Sequence, residues 1–446
     1  MEEGERYLEE DIKEISKEFL ELSKKKEIEV ISHFDTDGIT AASIMIKTLK
    51  NLDKIFSVRI VKRLEKEFIE KISDDKIILF LDLASGSLEH IENSNLKDVF
   101  IIDHHEIFQK VPKKVRIINP HLNKNQKISG AGLTYLFCKE LNKNYKELAK
   151  LAIVGMIGDR MEREIEKISN EILNDGEVKT KRGVLIYPST RPINRVLEFS
   201  SNPYIPGVTG DIKGVLELLR DSGISPMKEG GYKSLIELDE KEMQKLVTSI
   251  MIRNPKTKSK DLLGDIFLIK FFNKLEDARE ISAKINACSR FGEPETAIQL
   301  CLESQKAKKR AETIHAKYKQ FLISGLKFAS ETEKIIGKDF VIINAKEKIK
   351  DTMIGTIISI LSSSKMFEEG TAIIGMASSE EKTKVSARVV GSTGKNIREI
   401  LTRVIERVGG EVGGHEFAAG CLIKQEKEKE FIENIKKIFE IEIVKI

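Results

Sequence analysis

The chain has 446 residues, enough for about three domains of roughly 150 residues each with its own buried core. Charged residues make up 33% of the chain and hydrophobic residues 40%, a mixture that excludes collagen-like, mucin-like and wholly disordered proteins. The 75 Lys and Arg residues nearly balance the 71 Asp and Glu residues. That balance excludes nucleic-acid binding through bulk positive charge, while a local basic groove stays open.

Apolar runs and cysteines limit where the protein works. The longest apolar runs, such as 77–81, are far shorter than the ~18 residues of a membrane span, so no membrane partner is expected. The acidic N-terminus lacks the pattern of a secretory signal. Four scattered cysteines form no C-x-x-C pair, which argues against disulfides and structural zinc. We therefore expect a soluble cytoplasmic protein.

The first part of the chain alternates short apolar strands with helices. A helix is predicted at 9–25, and a second helix directly follows the first strand, through residues 41–49. Alternation of this kind predicts a parallel, doubly wound α/β sheet, whose ligands lie at the carboxyl ends of the strands. The predicted strands are 28–32, 77–81 and 99–102, and the later helices are 130–143 and 147–157.

After about residue 175 the pattern loosens into a proline-rich stretch and helical segments across 211–253, and a new α/β pattern begins near 265. We predict a metal-binding parallel-sheet domain over 1–195, a helical connecting module over 196–268 and a second α/β domain over 269–446, with a catalytic cleft between the two sheet domains. The second α/β domain is predicted to contain helices at 275–288, 302–330 and 395–408, strands at 340–344, 371–376 and 384–390, a break at Gly409–Gly410 and a closing strand–helix–strand.

Acidic and histidine residues follow the predicted strand ends. Oxygen ligands with one or two imidazoles suit Mn²⁺ or Mg²⁺. Several carboxylates in one crevice repel each other unless cations neutralise them, and two cations ~3.5–4 Å apart would also clamp a phosphate. As an alternative, Asp35 and Asp37 could simply cap the helix that begins near Gly38. The clustered residues are His33, Asp35, Asp37, Asp82, Asp103, His104, His105 and Asp159.

The order of these motifs resembles the DHH phosphoesterase superfamily. The matching motifs are His33–Gly38, then Asp82, then Asp103-His104-His105, then Gly155–Asp159. The segment Gly413–Gly420 is similar to the signature of the DHH-associated domain, and Asn286–Arg290 and Ser386–Arg388 resemble motifs of the RecJ nuclease branch. The resemblance is strongest to archaeal RecJ-like single-strand exonucleases of the GINS-associated and helicase-associated types. His33 departs from bacterial RecJ, which more often has Asp there.

The resemblance implies individual roles in a site with two divalent cations, Mn²⁺ preferred or Mg²⁺. Asp82 would bridge the cations, Asp35 with His33 would complete one position, and a second set of ligands would complete the other. His105 would contact the phosphate, and Asp103 would orient a histidine or be purely structural. The implied catalytic residues are Asp82, His105 and Asp103, and the second ligand set is Asp37, His104 and Asp159.

The resemblance also implies contacts to nucleic acid from the second α/β domain. Two glycines would let the main chain approach a phosphate closely. Arg388 could instead form a surface salt bridge, and His415 could be a turn residue. In the first domain, Ser129–Gly132 opens a helix and could bind a phosphate or simply cap that helix. The implied nucleic-acid-binding residues are Arg290, Ser386, Arg388, Gly413, Gly414 and His415.

The resemblance implies an exonuclease that hydrolyses single-stranded DNA, with RNA as a further candidate, to nucleoside monophosphates during replication or repair. Relatives with these motifs digest in either direction, so the motifs imply no polarity. The alternatives are a nanoRNase or cyclic-dinucleotide phosphodiesterase, and a scaffold subunit associated with the replicative helicase. The predicted partners are single-stranded nucleic acid and a replisome (GINS) or repair-helicase protein, which would dock on residues 200–265.

Overall fold

A computed structural model describes residues 7–123, 126–142, 145–163, 165–255, 257–364 and 366–441. By its internal packing the chain forms two compact units, and each unit combines two separate segments of sequence. The first unit consists of Met1–Arg182 and Asp265–His315, and the second of Gly183–Gly264 and Ala316–Ile446. The three-part division at 195 and 268 stays a prediction.

The first unit is built on a five-stranded sheet in the order β2-β1-β3-β4-β5, in which every neighbouring pair is parallel. The predicted parallel sheet is therefore confirmed, and with it the strands expected at 28–32, 77–81 and 99–102. Strands β2 and β5 were not predicted; β2 is only partly buried and lacks a continuous apolar run. The five strands are β1 (Ile28–His33), β2 (Phe56–Val61), β3 (Ile77–Leu81), β4 (Asp98–Ile102) and β5 (Val115–Ile118).

Helices cover both faces of this sheet. On one face Phe19 packs edge-on against Phe100 and Phe137, with ring centroids 5.3 and 5.4 Å apart. On the other face Leu88 and Ile91 join the apolar residues of β3 and β4 in one core cluster, as expected for a doubly wound sheet. The helices are α1 (Leu8–Leu22), α2 (Thr36–Asn51), α3 (Lys66–Ile69), α4 (Leu88–Glu92), α5 (Gly130–Leu141), α6 (Ala149–Gly158) and α7 (Lys167–Asp175).

The chain then passes through strand β6 (Lys179–Val184) into a mainly helical module of the second unit. This module has its own apolar core, formed by buried residues between Val184 and Leu262. The helices predicted across 211–253 are present. The elements are α8 (Ile193–Glu198), α9 (Ile212–Asp221), the hairpin strands β7 (Met227–Lys228) and β8 (Gly231–Tyr232), α10 (Glu240–Arg253) and α11 (Ser259–Leu262).

The next segment returns to the first unit. Its strands lie in a three-stranded sheet ordered β10-β9-β6, and α12 packs against α2 and α6. The helix predicted from 275 begins only at Ala278, because the preceding residues pair antiparallel with β9. The elements are β9 (Leu263–Phe271), β10 (Lys274–Asp277), α12 (Ala278–Arg290), α13 (Pro294–Cys301) and the long helix α14 (Gln305–Glu331), of which the residues from Ala316 onward belong to the second unit.

The second unit also holds a six-stranded sheet in the order β11-β12-β13-β14-β16-β15, in which only β12 and β13 pair in parallel. Its strands are β11 (Ile335–Gly337), β12 (Phe340–Lys346), β13 (Ala372–Ser379), β14 (Lys382–Val389), β15 (Glu411–His415) and β16 (Ala418–Lys424). Its helices are α15 (Asp351–Ser363), α16 (Ile397–Val408) and α17 (Glu428–Ile441).

The strands and helix expected here from the sequence are present, and Gly409 and Gly410 separate α16 from β15. Strand β15 itself was not predicted, since its glycines resemble a loop. The last strand expected at the end of the chain falls after residue 441, outside the described residues. Among the described residues, no helix combines the length and apolar character needed to cross a membrane.

Candidate functional site

The strand order places the candidate site. From β1 the chain continues to β2 on one side and to β3 on the other, so a crevice opens at the carboxyl ends of β1 and β3, where ligands bind in such sheets. His33 is the last residue of β1, Asp82 directly follows β3, and Asp103 directly follows β4. The structure therefore brings residues from three strand ends to one edge of the sheet.

One side of this cluster is formed by His33, Asp35 and Asp82. Nδ1 of His33 lies 3.0 Å from Oδ2 of Asp35 and 3.6 Å from Oδ2 of Asp82. Asp35 is also the N-cap of α2, because its Oδ1 accepts a hydrogen bond of 3.0 Å from the backbone N–H of Gly38. Asp35 thus caps the helix with one oxygen and faces His33 with the other.

The other side of the cluster surrounds His104. Its Nε2 lies 3.0 Å from Oδ2 of Asp159, 3.3 Å from Oδ1 of Asp82 and 3.8 Å from Oδ2 of Asp37. Potential ligand atoms of Asp37, Asp82, His104 and Asp159 all lie within 4.8 Å of one another, and so do those of His33, Asp35 and Asp82. Asp82 belongs to both groups and is the residue that joins them.

The N-terminus of α5 holds Asp37 in place. The backbone N–H groups of Gly130 and Ala131 donate to its two carboxylate oxygens at 2.6 and 3.1 Å, where the helix dipole favours negative charge. Ser129 caps this helix by accepting from the backbone N–H of Gly132 at 3.1 Å. The capping alternative for 129–132 is therefore confirmed, and two of its N–H groups bind Asp37.

Two glycines leave space for the carboxylates. A Cβ at Gly130 would lie 2.8 Å from Oδ1 of Asp82, and a Cβ at Gly155 would lie 2.3 Å from Oδ1 of Asp37. Sequence reasoning quoted both glycines within motifs without giving them this role. For Gly155 the available clue was a glycine inside a helix that is otherwise apolar and buried, where glycine weakens the helix. Gly130 is the first residue of α5 and offers no such clue.

Several buried polar atoms of the cluster lie 3.0–3.6 Å from one another or from neighbouring carboxylates but make no hydrogen bond of good geometry among the described residues: both carboxylate oxygens of Asp82, Nδ1 of His33 and Nε2 of His104. Asp82 is only 1% exposed. Buried polar atoms without partners are costly and rare. Carboxylate oxygens with a few imidazole nitrogens form the donor set that Mn²⁺ and Mg²⁺ accept, so the residues fit divalent cations.

The histidines are strongly basic in this environment. Burial alone would lower the pKa of His33, but the carboxylates of Asp35 and Asp82 outweigh it and raise that pKa to about 10. Burial of His104 is likewise outweighed, by Asp159 and Asp82, which raise its pKa to about 12. Burial also opposes ionisation of Asp35, yet His33 lowers the pKa of this carboxyl to about 2.

The pKa values of the two most deeply buried carboxyls of the cluster are raised. Burial and then the charges of Asp159 and Asp82 raise the pKa of Asp37 well above its ordinary value. Burial also raises the pKa of Asp82, although His104 and His33 oppose that shift. Both carboxyls therefore resist ionisation unless positive charge is nearby, and bound cations would supply that charge.

Asp103 and His105 form a separate pair beside this cluster. Nδ1 of His105 donates to Oδ1 of buried Asp103 at 2.7 Å, and the backbone N–H of Ser85 donates to Oδ2 at 2.9 Å. Burial would raise the pKa of Asp103, but the bond to His105 outweighs it and holds that pKa far below its ordinary value. The pKa of His105 is raised, chiefly by Asp103. Asp103 lies outside the candidate cation groups, whereas His105 forms a third one with Asp82 and His104.

In the second unit, the predicted nucleic-acid-binding residues lie in rows across three strands. Arg388 of β14 pairs with Ala418 of β16, which pairs with His415 of β15. Ser386 and Gly413 are joined in the same way through Gly420. Directly opposed residues share one face of a sheet, so these residues lie on one face, opposite the one buried against α16 and α17.

Arg388 has only neutral partners. Its Nε donates to Oγ of Ser359 at 3.1 Å, and its Nη1 donates to the carbonyl oxygen of Ala387 at 2.8 Å, with longer contacts to Ser386 and Ala419. Burial lowers its pKa. No carboxylate of the described residues pairs with this guanidinium, so the salt-bridge alternative lacks a partner.

The remaining residues predicted to contact nucleic acid differ in exposure and in the space around them. A Cβ at Gly413 would meet nothing within 4 Å, whereas Gly414 has φ +124° and a Cβ there would lie 2.4 Å from the carbonyl oxygen of Ala418. His415 is exposed and lies within β15, not in a turn. Arg290 is exposed at the end of α12 in the first unit, and its Nε donates to Oδ1 of Asn286 at 3.0 Å.

A doubly wound unit with a carboxylate–imidazole cluster at its switch point defines a candidate metal-binding α/β protein. Three segments of the chain match known protein-family domains. Residues 27–156 match the DHH family N-terminal domain, residues 186–260 match the DHH-CID domain, and residues 337–441 match the DHHA1 domain.

The chain is also similar in sequence to two individual proteins. The chain is 30% identical to an uncharacterized protein of Methanocaldococcus jannaschii over 92% of the chain and 93% of that protein. It is 29% identical to the single-stranded-DNA-specific exonuclease RecJ of Thermus thermophilus over 31% of the chain and 23% of RecJ. The chain belongs to the DHH superfamily of phosphoesterases and is RecJ-like.

Solved structures agree on the fold. The Mn²⁺ complex of Thermus thermophilus RecJ has a TM-score of 0.58 at 18% identity, covering 96% of this chain and 54% of that one, so this chain spans about half of RecJ. The CDC45 structure of Entamoeba histolytica has a TM-score of 0.71 at 12% identity, covering 97% of this chain and 99% of that chain.

Proposed function

We propose that this protein is a metal-dependent exonuclease that hydrolyses single-stranded DNA to nucleoside monophosphates, with RNA as a further candidate substrate. The observation that carries this proposal is the position of Asp82, which joins two ligand groups and has both oxygens buried without hydrogen-bond partners among the described residues. The name of the Thermus thermophilus relative, a single-stranded-DNA-specific exonuclease, supports the choice of substrate.

We assign one cation position to His33, Asp35 and Asp82, and a second to Asp37, Asp82, His104 and Asp159. Two bound divalent cations, Mn²⁺ preferred or Mg²⁺, would activate water and neutralise negative charge on a phosphodiester. The protein's contribution is to hold these six side chains at the crevice, with Asp37 fixed by the N-terminus of α5.

His105 is the residue we assign to the phosphate. Its Nδ1 is occupied by Asp103 at 2.7 Å, which leaves Nε2 to hold a proton toward an anionic oxygen. A histidine whose other ring nitrogen donates to a carboxylate keeps one ring orientation, and the carboxylate raises its pKa, which favours a proton on Nε2. Asp103 therefore acts through His105 and holds its imidazole in place.

The face of β14, β16 and β15 that holds Arg388 and His415 is our candidate for binding the phosphates of the strand; α15 covers part of it at β14, where Ser386 is buried, and β15 is exposed. A half-buried guanidinium without an acidic partner, such as that of Arg388, is suited to a phosphate oxygen. The backbone at Gly413 is open to close approach, and His415 lies in the same row as Arg388. Arg290 of the first unit is a further candidate contact.

Two other activities remain as alternatives. The dinucleotide phosphodiesterases that the resemblance offers as an alternative are expected to be shorter and to lack a module like the one matched over 186–260, which counts against that alternative. A helicase-associated scaffold is favoured by the similarity in fold to CDC45. Against the scaffold, every expected ligand position holds a residue able to bind a cation.

The proposal is tested with single-stranded oligonucleotides labelled at the 5′ or the 3′ end, DNA and RNA in parallel, incubated with Mn²⁺. We expect immediate release of a labelled mononucleotide from one end only, and no release by an Asp82→Ala variant. This result establishes both the exonuclease and its direction. Absence of cleavage with Mn²⁺ and Mg²⁺ would overturn the proposal in favour of the scaffold.

We also propose that the helical module over 200–265 docks a replisome or repair-helicase partner. Its α9 and the β7–β8 hairpin expose four large apolar side chains: Ile212, Leu216, Met227 and Tyr232. With purified GINS complex as the probe, Leu216→Glu should abolish binding measured by calorimetry while Mn²⁺ binding is retained. Unchanged GINS binding, or loss of both, would contradict this assignment.

A further inference from the structure

One buried amide ties together three strand ends beside the candidate site. Asn119, the residue after β5, is 1% exposed. Its Nδ2 donates to Oγ of Ser85 and to the carbonyl oxygen of His105, both at 2.9 Å, and its Oδ1 accepts from the backbone N–H of His121 at 2.9 Å. Ser85 lies after β3 and His105 after β4, so the single side chain links the ends of β3, β4 and β5.

The link made by Asn119 holds the backbone of His105, whose side chain is little constrained by packing. The His105 side chain is 55% exposed, so apolar contacts do not fix its direction. Oδ1 of Asp103 accepts the backbone N–H of His104 at 2.8 Å and that of His105 at 3.3 Å. Asn119 binds the carbonyl oxygen of the same residue. The peptide groups on both sides of the His105 Cα are therefore held by hydrogen bonds.

We infer that Asn119 is a positioning residue for His105: its amide fixes the His105 backbone so that the imidazole stays directed at the group formed by Asp82 and His104. The inference rests on the proposed function, because it assumes that His105 contacts the phosphate. Among the described residues, Asn119 makes no hydrogen bond to a residue of the two proposed cation positions. It acts through the carbonyl oxygen of His105 and through Ser85, whose backbone N–H binds Asp103.

A purely structural role would give a different pattern. If Asn119 only stabilised the sheet edge, its loss would weaken Mn²⁺ binding together with activity. If it positions His105, the turnover number falls while Mn²⁺ affinity and KM are retained. Substitution of residues that orient catalytic or ligating groups typically costs about 10- to 100-fold, and we expect a fall of kcat in that range.

The test uses Asn119→Asp in the full-length protein. This change keeps the oxygen that accepts from His121 but removes both N–H donors. Asn119→Ala removes the same donors without adding charge. Asn93→Asp, at an exposed position after α4, is the matched control for the change from amide to carboxylate. Hydrolysis of bis(p-nitrophenyl) phosphate with Mn²⁺ gives kcat and KM, and calorimetry gives the Mn²⁺ affinity.

Lower kcat in both Asn119 variants, with KM, Mn²⁺ affinity and the Asn93 variant unchanged, supports the inference. An unchanged kcat, or a parallel loss of Mn²⁺ affinity, overturns it. A second readout needs no activity: in ¹⁵N-histidine NMR spectra of metal-free protein, the His105 imidazole signals should shift or broaden in the variants. If wild-type protein hydrolyses nothing, the proposed function fails, and unchanged His105 signals would independently refute the positioning role.

Discussion

Gly155 of α6 and Asp37 of α2 are in such close contact that no side chain fits at position 155: a Cβ there would lie 2.3 Å from Oδ1 of Asp37. The same Cβ would lie 2.6 Å from Cβ of Ala131 and 2.6 Å from Oγ1 of Thr40. Three helices therefore meet around the carboxylate. The position of one proposed cation ligand depends on the absence of a methyl group from a neighbouring helix.

The first prediction concerns this contact. Alanine in a helix ordinarily stabilises relative to glycine by about 1 kcal/mol, but at position 155 the added methyl is expected to destabilise by about 1–3 kcal/mol through overpacking. Displacement of Asp37 should also weaken Mn²⁺ binding. Thermal unfolding and calorimetry of Gly155→Ala measure both effects.

The matched control for this substitution is Gly86→Ala, since a Cβ at Gly86 would meet nothing within 4 Å and the residue has no positive φ. We expect that variant to bind Mn²⁺ like the wild type. Normal Mn²⁺ affinity in Gly155→Ala would show that the carboxylate is not confined as described.

The second prediction is that Asp82→Asn has opposite effects on stability with and without metal. In the metal-free protein the charge of Asp82 is buried beside other carboxylates, and burial raises its pKa. Burial outweighs the opposing effect of His104 and His33 on this pKa, so removing the charge should stabilise the metal-free fold. Wild-type protein should gain about 2.7 kcal/mol at a Mn²⁺ concentration of 100 Kd, and the variant should lose most of that gain. Thermal melts with EDTA and with Mn²⁺ measure the crossover; a destabilised metal-free variant would contradict it.

The third prediction concerns pH. The pKa values of about 10 for His33 and about 12 for His104 mean that both imidazoles hold a proton at neutral pH in the metal-free protein. Metal ligation requires neutral imidazole. Binding of Mn²⁺ should therefore release protons, and its affinity should rise with pH. Calorimetry in buffers of different ionisation enthalpy counts the protons; a count of zero would contradict the prediction.

These raised pKa values also predict the stability of the metal-free protein. Their contribution is complete below the ordinary histidine pKa of ~6.5 and is lost as pH rises through about 10 for His33. Chelator-treated protein should thus lose stability between these pH values. Protein with Mn²⁺ should lose less, because metal affinity increases over the same interval.

The fourth prediction addresses the second unit. Arg388→Ala should weaken binding of single-stranded DNA and reduce the slope of log K against log salt concentration by about 0.7, the value for one phosphate contact. Mn²⁺ binding should be unchanged. Fluorescence anisotropy in Ca²⁺ measures the affinity, and Arg398→Ala, an exposed arginine on α16, is the control. Equal effects of the two substitutions would remove the assignment of Arg388.

The sequence predicted the parallel sheet and the cluster at its edge because both depend on local pattern. Apolar runs such as 77–81 are strand-sized, and polar residues directly after them must lie at one edge of a parallel sheet. Strand β15 escaped prediction because Gly413 and Gly414 lack side chains that would give the alternating pattern of a strand; its register with β16 supplies what the pattern lacks.

The supporting contacts could not be read from the sequence. Gly155 contacts Asp37 across more than a hundred residues of chain, and Asn119 reaches Ser85 and His105 only once β3, β4 and β5 lie side by side. These relations arise from packing between elements. Residue spacing within a single helix or strand does not predict such contacts between elements.

The first unit is complete only when a segment far downstream of its sheet in the sequence has been synthesised. Residues 265–315 return to it, α12 packs against α2 and α6, and Thr36 donates its hydroxyl hydrogen bond to the carbonyl oxygen of Ser282 at 3.2 Å. During synthesis at about 5–20 residues per second, the ribosome needs roughly 7–27 s to proceed from residue 182 to residue 315. For that interval the nascent chain carries Asp37, Asp82 and His104 without the helix that packs behind them. All proposed cation ligands are therefore synthesised well before α12, and a shortened protein ending after α7 would contain every ligand but lack the helix that packs against α2 and α6.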